Sequence, residues 1–172
     1  KDSFDEAAAG FAQLTDHPRH GERATYMLAW TRRKAGNAPE ADRLFAAVLE
    51  KWPKGQFAPD AALRRAETLT LAGEAAAAAT LLAAHRYADS PLREDALHVL
   101  CDALAQQGNW QELLARAEEL RAAFPDSKRR HLASFHIGRA CQELGVNERA
   151  MESFLKTIEE TDTVEAAQAQ FN

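Results

Sequence analysis

The sequence predicts an all-α fold in which short antiparallel helix pairs stack into a solenoid. Glycines recur at Gly36, Gly73, Gly108 and Gly145, spaced by 37, 35 and 37 residues, and each stands between two stretches of helical apolar period. No β-branched run of alternating polarity bounded by turns competes with that reading. Helix pairs that cannot bury their apolar faces alone are expected to stack on one another.

Taken in order, the periodicity predicts helices over 3–15, 22–35, 38–51, 58–72, 74–87, 91–107, 110–123, 128–144, 147–160 and 163–172. The four glycines end the first helix of each pair, because a tight turn after a helix needs a left-handed residue. Asn37 with Glu40 and Asn109 with Glu112 have capping-box spacing, and Asn147 is a cap without a partner. The second helices carry a buried stripe, as in Ala41, Leu44, Phe45, Val48 and Leu49, or Ala150, Phe154, Leu155 and Ile158. They stop near Pro53, Pro91 and Pro125, where Ser90-Pro91 and Asp126-Ser127 offer capping or first-turn residues for the next helix. The alanine run 75–79 favours helix and close helix approach.

The 172 residues are enough for one ordinary domain or one short repeat array, and 46% of them are hydrophobic. Acidic residues outnumber basic ones 26 to 21, and the net charge of -5 is dispersed, which argues against a nucleic-acid partner. No stretch approaches the ~20 apolar residues of a membrane span, so no direct membrane insertion is expected of this segment. The sequence opens at Lys1, and residues 164–172 read as a helix barely begun, so a fragment of a longer chain is expected. Cys101 and Cys141 have neither CxxC spacing nor the density of a disulfide scaffold.

The repeated residues resemble the tetratricopeptide family: a large residue then a small one in the first helix, Gly at the turn, then Ala, an aromatic and Pro. Leu28-Ala29, Gly36, Ala41, Phe45 and Pro53 carry the fullest match, followed by Ile137-Gly138, Gly145, Ala150 and Phe154, with Asp162 in the proline's place. Around Gly108 the pattern keeps Leu100-Cys101 and Pro125 but has Leu113 and Ala117, and around Gly73 it keeps Ala66 and Ala78 but has Arg65 and Leu82. The resemblance implies a right-handed superhelix with repeats at about 22–55, 58–91, 93–127 and 129–162, and partial ones at 1–20 and 163–172. A spacing nearer 36 than 34 is similar to bacterial cell-envelope members, as are Phe124-Pro125-Asp126-Ser127 and Tyr87-Ala88-Asp89-Ser90-Pro91. Periplasm or cell envelope is the location this implies.

The family's first helices build a groove that binds a peptide or protein segment, and the resemblance carries its positions onto this sequence. They fall on Arg23, Tyr26, Trp30, Arg33 and Lys34, an aromatic and basic patch; on Asp60, Leu63, Glu67, Asp95, His98 and Asp102, an acidic middle; and on Leu132, Phe135, Arg139 and Gln142. Tyr26 and Trp30, one turn apart, are placed to stack on a ligand while Arg23 and Arg33 pair with a carboxylate. The plainer reading has Trp30 packed on the preceding helix and both arginines solvated. Because Tyr26 and Trp30 hold the clamp positions, chaperone-tail binding is not expected.

No catalytic, cofactor or metal site is expected. His98 and Cys101 lack two further ligands, His131 and His136 are five apart, and Glu118-Glu119 and Glu159-Glu160 point in different directions. GxSxG, a phosphate-cradling glycine loop and HExxH are absent. Trp52 and Trp110 read as packing at helix junctions. A protein-binding scaffold is therefore the expectation. The alternatives are a targeting arm of a larger enzyme or secretion component, and a spacer or self-assembly element with dimers through exposed terminal helices such as that of Phe171.

Overall fold

The computed structural model describes residues 2–85 and 87–169, with backbone alone for Asp2 and residues 163–169. The chain divides into two compact units, Lys1–Leu92 and Arg93–Asn172. Only helices and turns occur among the described residues.

The first unit contains α1 (Asp2–Ala12), α2 (Gly21–Lys34), α3 (Ala38–Lys51), α4 (Ala58–Leu71) and α5 (Ala75–Ala83), each packed on the next. Its centre is built from Ala29, Ala41, Phe45, Val48 and Ala61, with the rings of Tyr26, Trp30 and Phe57 against them. Small residues on α2 and α4 let Phe45 of α3 sit fully buried between them. The second unit contains α6 (Arg93–Gln107), α7 (Trp110–Ala123), α8 (Arg130–Glu143) and α9 (Asn147–Ala169). Consecutive helices pack here too, and α6 also touches α8. Leu97, Cys101, Leu104, Leu113, Leu120, Ile137 and Cys141 form its core.

The recurring glycines do one job. Gly36 has φ +83°, its N–H reaches Arg33 O at 3.1 Å, and Asn37 N–H reaches Arg32 O at 2.9 Å. This is the Schellman closure, in which two carbonyls left free at a helix end are satisfied by a left-handed residue and its successor. The same bond pair closes α4, α6 and α8. The Asn37–Glu40 capping box also forms, with Glu40 N–H donating to Asn37 Oδ1 at 3.3 Å. Ser90 and Ser127 accept the backbone N–H groups of Leu92 and Arg129, at 3.1 and 3.0 Å, ahead of α6 and α8.

Five local expectations are corrected. Leu155 and Ile158, expected in a buried stripe, are exposed on α9, because no helix among the described residues packs over that side. Asn109 makes no side-chain cap, because Glu112 accepts from Arg116 at 2.8 Å instead of turning back. Asn147 is already the first residue of α9 rather than its cap. The helix expected over 74–87 stops at Ala83, and Tyr87 turns its hydroxyl to donate to Pro59 O at 2.8 Å. The helices expected over 147–160 and 163–172 are one, continuous to Ala169, since Thr161-Asp162-Thr163 contains neither the glycine that follows α2, α4, α6 and α8 nor the proline that follows α3 and α7. Residues 170–172, Phe171 among them, lie outside the described residues.

Candidate protein-binding face

Helix α2 turns Arg23, Tyr26, Trp30, Arg33 and Lys34 toward one side because they recur at three- and four-residue steps. Arg23 and Lys34 are exposed, while Tyr26, Trp30 and Arg33 are half-buried against the neighbouring helices. The Tyr26 hydroxyl donates to Asp60 Oδ2 of α4 at 2.5 Å, and Trp30 Nε1 donates to the same oxygen at 3.3 Å. Burial and the bond to Asp60 push the Tyr26 phenol up to about 12. The Tyr26 ring stacks on Phe57 at 4.5 Å and meets Phe45 edge-on at 6.1 Å; Trp30 meets Phe45 at 6.2 Å. Trp30 thus packs against the helices that follow it.

The charges close the same way. Arg33 pairs with Glu67 at 2.6 Å, and Arg64 bridges Asp60 at 3.1 Å and Glu67 at 2.5 Å. The cationic ends of Arg33, Lys34 and Arg64 lie 5.6, 5.9 and 5.3 Å from the Trp30 ring centre. Asp60 and Glu67 are therefore committed to partners within the wall. Leu63 is fully buried and takes no part in any face.

The second unit repeats this cross-bracing. Arg129, ahead of α8, pairs with Asp95 at 2.7 Å and Glu94 at 3.1 Å, and His136 Nε2 lies 3.3 Å from Asp102. Tyr26–Asp60, Arg33–Glu67, Asp95–Arg129 and Asp102–His136 are all pairs 34 residues apart in sequence. Each ties the first helix of one pair to the segment that opens or forms the first helix of the next. His98, expected on the groove, is buried, and burial lowers its pKa to about 4. Leu132, Phe135 and Gln142 are exposed, Phe135 lying 6.1 Å from Phe154; Arg139 covers the Trp110 ring at 5.3 Å.

Cys101 and Cys141 are free and fully buried, and burial pushes the Cys101 thiol up to about 12. No cluster of three His, Cys, Asp or Glu side chains suited to a metal occurs among the described residues. None of the helices, over those residues, is long and apolar enough to cross a membrane.

Residues 23–55, which span α2, its glycine turn and α3, match the tetratricopeptide-repeat family. Over those residues the chain is similar to a tetratricopeptide repeat. Its fold is also the tetratricopeptide one. A crystal structure of MamA superposes with a TM-score of 0.76 at 19% identity, covering 99% of this chain and 93% of that one. MamA residues 41 to the end, from Desulfovibrio magneticus RS-1, give 0.75 at 19% identity over 94% and 87% of the two chains. MamA from MSR-1 gives 0.74 at 17% identity over 94% and 89%. At such identities the likeness is one of fold. No curated protein matches by sequence.

Tetratricopeptide periodicity made the helices and the facing of Tyr26, Trp30 and Arg33 legible. The acceptors waiting 34 residues on were not, because a partner on another helix is visible only once the stagger between helices is known. Arg19 lines the same cavity as Arg23 but precedes α2, so the helix period does not reach it; its four-residue offset from Arg23 is the available signal.

Proposed function

We propose that this chain is a protein-interaction scaffold whose wall of α2 and α4 takes a peptide or a segment of a partner protein. The observation that carries the reading is the cross-bracing: Tyr26 and Trp30 share Asp60, and Arg33 and Arg64 share Glu67, so the aromatic and charged groups of the wall are held in one arrangement. A surface already ordered before contact loses less side-chain freedom on binding, which is how a scaffold gains affinity without a deep pocket. Arg23 and Lys34 remain exposed at its edges for polar contact. The tetratricopeptide fold supports the same use, since it presents one face of its first helices to other chains.

The test is affinity capture with the wild-type chain beside an Arg33→Glu/Lys34→Glu variant and an Arg43→Glu control, Arg43 being exposed on α3. Circular dichroism verifies the fold of each. A partner retained by wild type and control and lost by the double variant supports the wall as the binding face. A partner retained by all three places binding elsewhere, and no partner at all favours a spacer element.

A further inference from the structure

Beside the first turn of α2 lies a cavity of about 580 Å³ whose lining includes Arg19, Arg23, Met27, Glu22 and Phe57. Arg19 and Arg23 are exposed, and neither guanidinium meets a carboxylate among the described residues. Elsewhere in this unit Arg32 pairs with Asp5 and Glu40, Arg33 and Arg64 with Glu67, and Arg65 with Asp42, while Arg43 is exposed on α3. The one acid in the lining is engaged: Glu22 Oε1 accepts the Phe57 N–H at 2.8 Å. Gly55 makes this possible, because a Cβ there would stand 2.1 Å from the same oxygen. The lining therefore carries two guanidiniums against one carboxylate, and that carboxylate is already held by a backbone N–H. Its other wall is apolar, with half-buried Met27 and the Phe57 ring, which is fixed by stacking on Tyr26.

We infer that this cavity is the recognition subsite for an acidic side chain of the bound peptide, one carboxylate held between Arg19 and Arg23 with a neighbouring apolar side chain on Met27 and Phe57. This rests on the scaffold reading and names the chemistry of what the scaffold takes. Two guanidiniums four residues apart suit a single carboxylate. A polyanion is disfavoured, since phosphate tracking needs a continuous basic surface and the arginines of the adjoining wall, Arg33 and Arg64, are paired with Glu67 and Asp60.

The probe is a short capped peptide, Ser-Glu-Leu-Gly-Ser, titrated into isotope-labelled protein by NMR, with its Gln counterpart and inorganic phosphate as comparisons. Saturable shifts at residues 19–27 and 56–57 are expected with the Glu peptide. Binding should weaken on the order of tenfold with the Gln peptide and with Arg19→Ala/Arg23→Ala, and should be unchanged in Arg43→Ala. Equal binding of the Gln peptide, shifts confined to other residues, or full binding by an Arg19→Ala/Arg23→Ala variant of unchanged melting would each overturn the assignment. Phosphate binding more tightly than the Glu peptide at the same amides would replace the carboxylate with a phosphate. If the peptide fails while a partner is still captured through Arg33 and Lys34, this subsite is lost and the scaffold stands.

Discussion

His98 sits on α6 with 7% of its surface exposed, facing Arg129, Glu94, His136 and Asp102. Burial first, then the Arg129 charge, lower its pKa from the ordinary 6.5 to about 4, while Glu94 and Asp102 pull the other way. Between these two values the unfolded chain binds a proton that the folded chain refuses. A His whose folded pKa is depressed therefore removes stability as pH falls from about 6.5 to about 4, and contributes no further loss below that. Urea melts of wild type and His98→Leu at pH 7 and pH 5 should show the wild type losing more over this interval, corresponding to uptake of about one extra proton on unfolding. Identical losses would mean that His98 is as protonated folded as unfolded. The residue also marks a limit of sequence reading. Its position in the repeat assigned it to the groove, but Arg129, ahead of α8, and His136, on it, close over that position, and neither lies within 30 positions of it in sequence.

At the scale of the element, the helix boundaries were legible because apolar period and turn glycine reported the same repeat independently. Where one of the two signals was missing, the reading failed: nothing breaks α9 at 161–163, and nothing in the alanine run states where α5 ends. The Asn109 box failed for a different reason, competition, since Arg116 four residues on offers Glu112 a charged partner. The Tyr26–Asp60 and Arg33–Glu67 contacts of the wall failed because each joins two helices. What the glycines contribute can be measured by contrast. Gly36 holds φ +83° in open space, so Gly36→Ala meets no neighbour and is strained only through its backbone, at about 1–2 kcal/mol. Gly10 is exposed inside α1, and a methyl group there would have no neighbour within 4 Å, so Gly10→Ala should stabilise by about 0.5–1 kcal/mol. Chemical melts should therefore move in opposite directions. A Gly36→Ala chain as stable as wild type would show that the closure of α2 does not need a left-handed residue.

Within each unit, the second helix of a pair that is followed by another helix has two duties: it packs on its own first helix and on the helix that follows. In α3 the outer duty is met by α4, as the Asp42–Arg65 pair at 3.3 Å records; in α7 it is met by α8 and α9, through Arg121 to Ser134 and Arg149 to Glu118. In α9 the corresponding positions are Met151, Leu155 and Ile158, which are 64%, 55% and 59% exposed and border an open cavity of about 330 Å³ with Phe154 at its side. Large apolar side chains grouped at one place, rather than scattered, drive association when nothing covers them. Concentration-dependent self-association through this face is the expected outcome, visible as a rising mass in sedimentation equilibrium. Met151→Glu/Ile158→Lys should hold the mass at that of one chain and leave the melting curve within ~0.5 kcal/mol, because these side chains cover no core of their own. If the double variant associates as strongly as wild type, the contact lies on another surface, and the exposed stripe of α9 is not what brings two chains together.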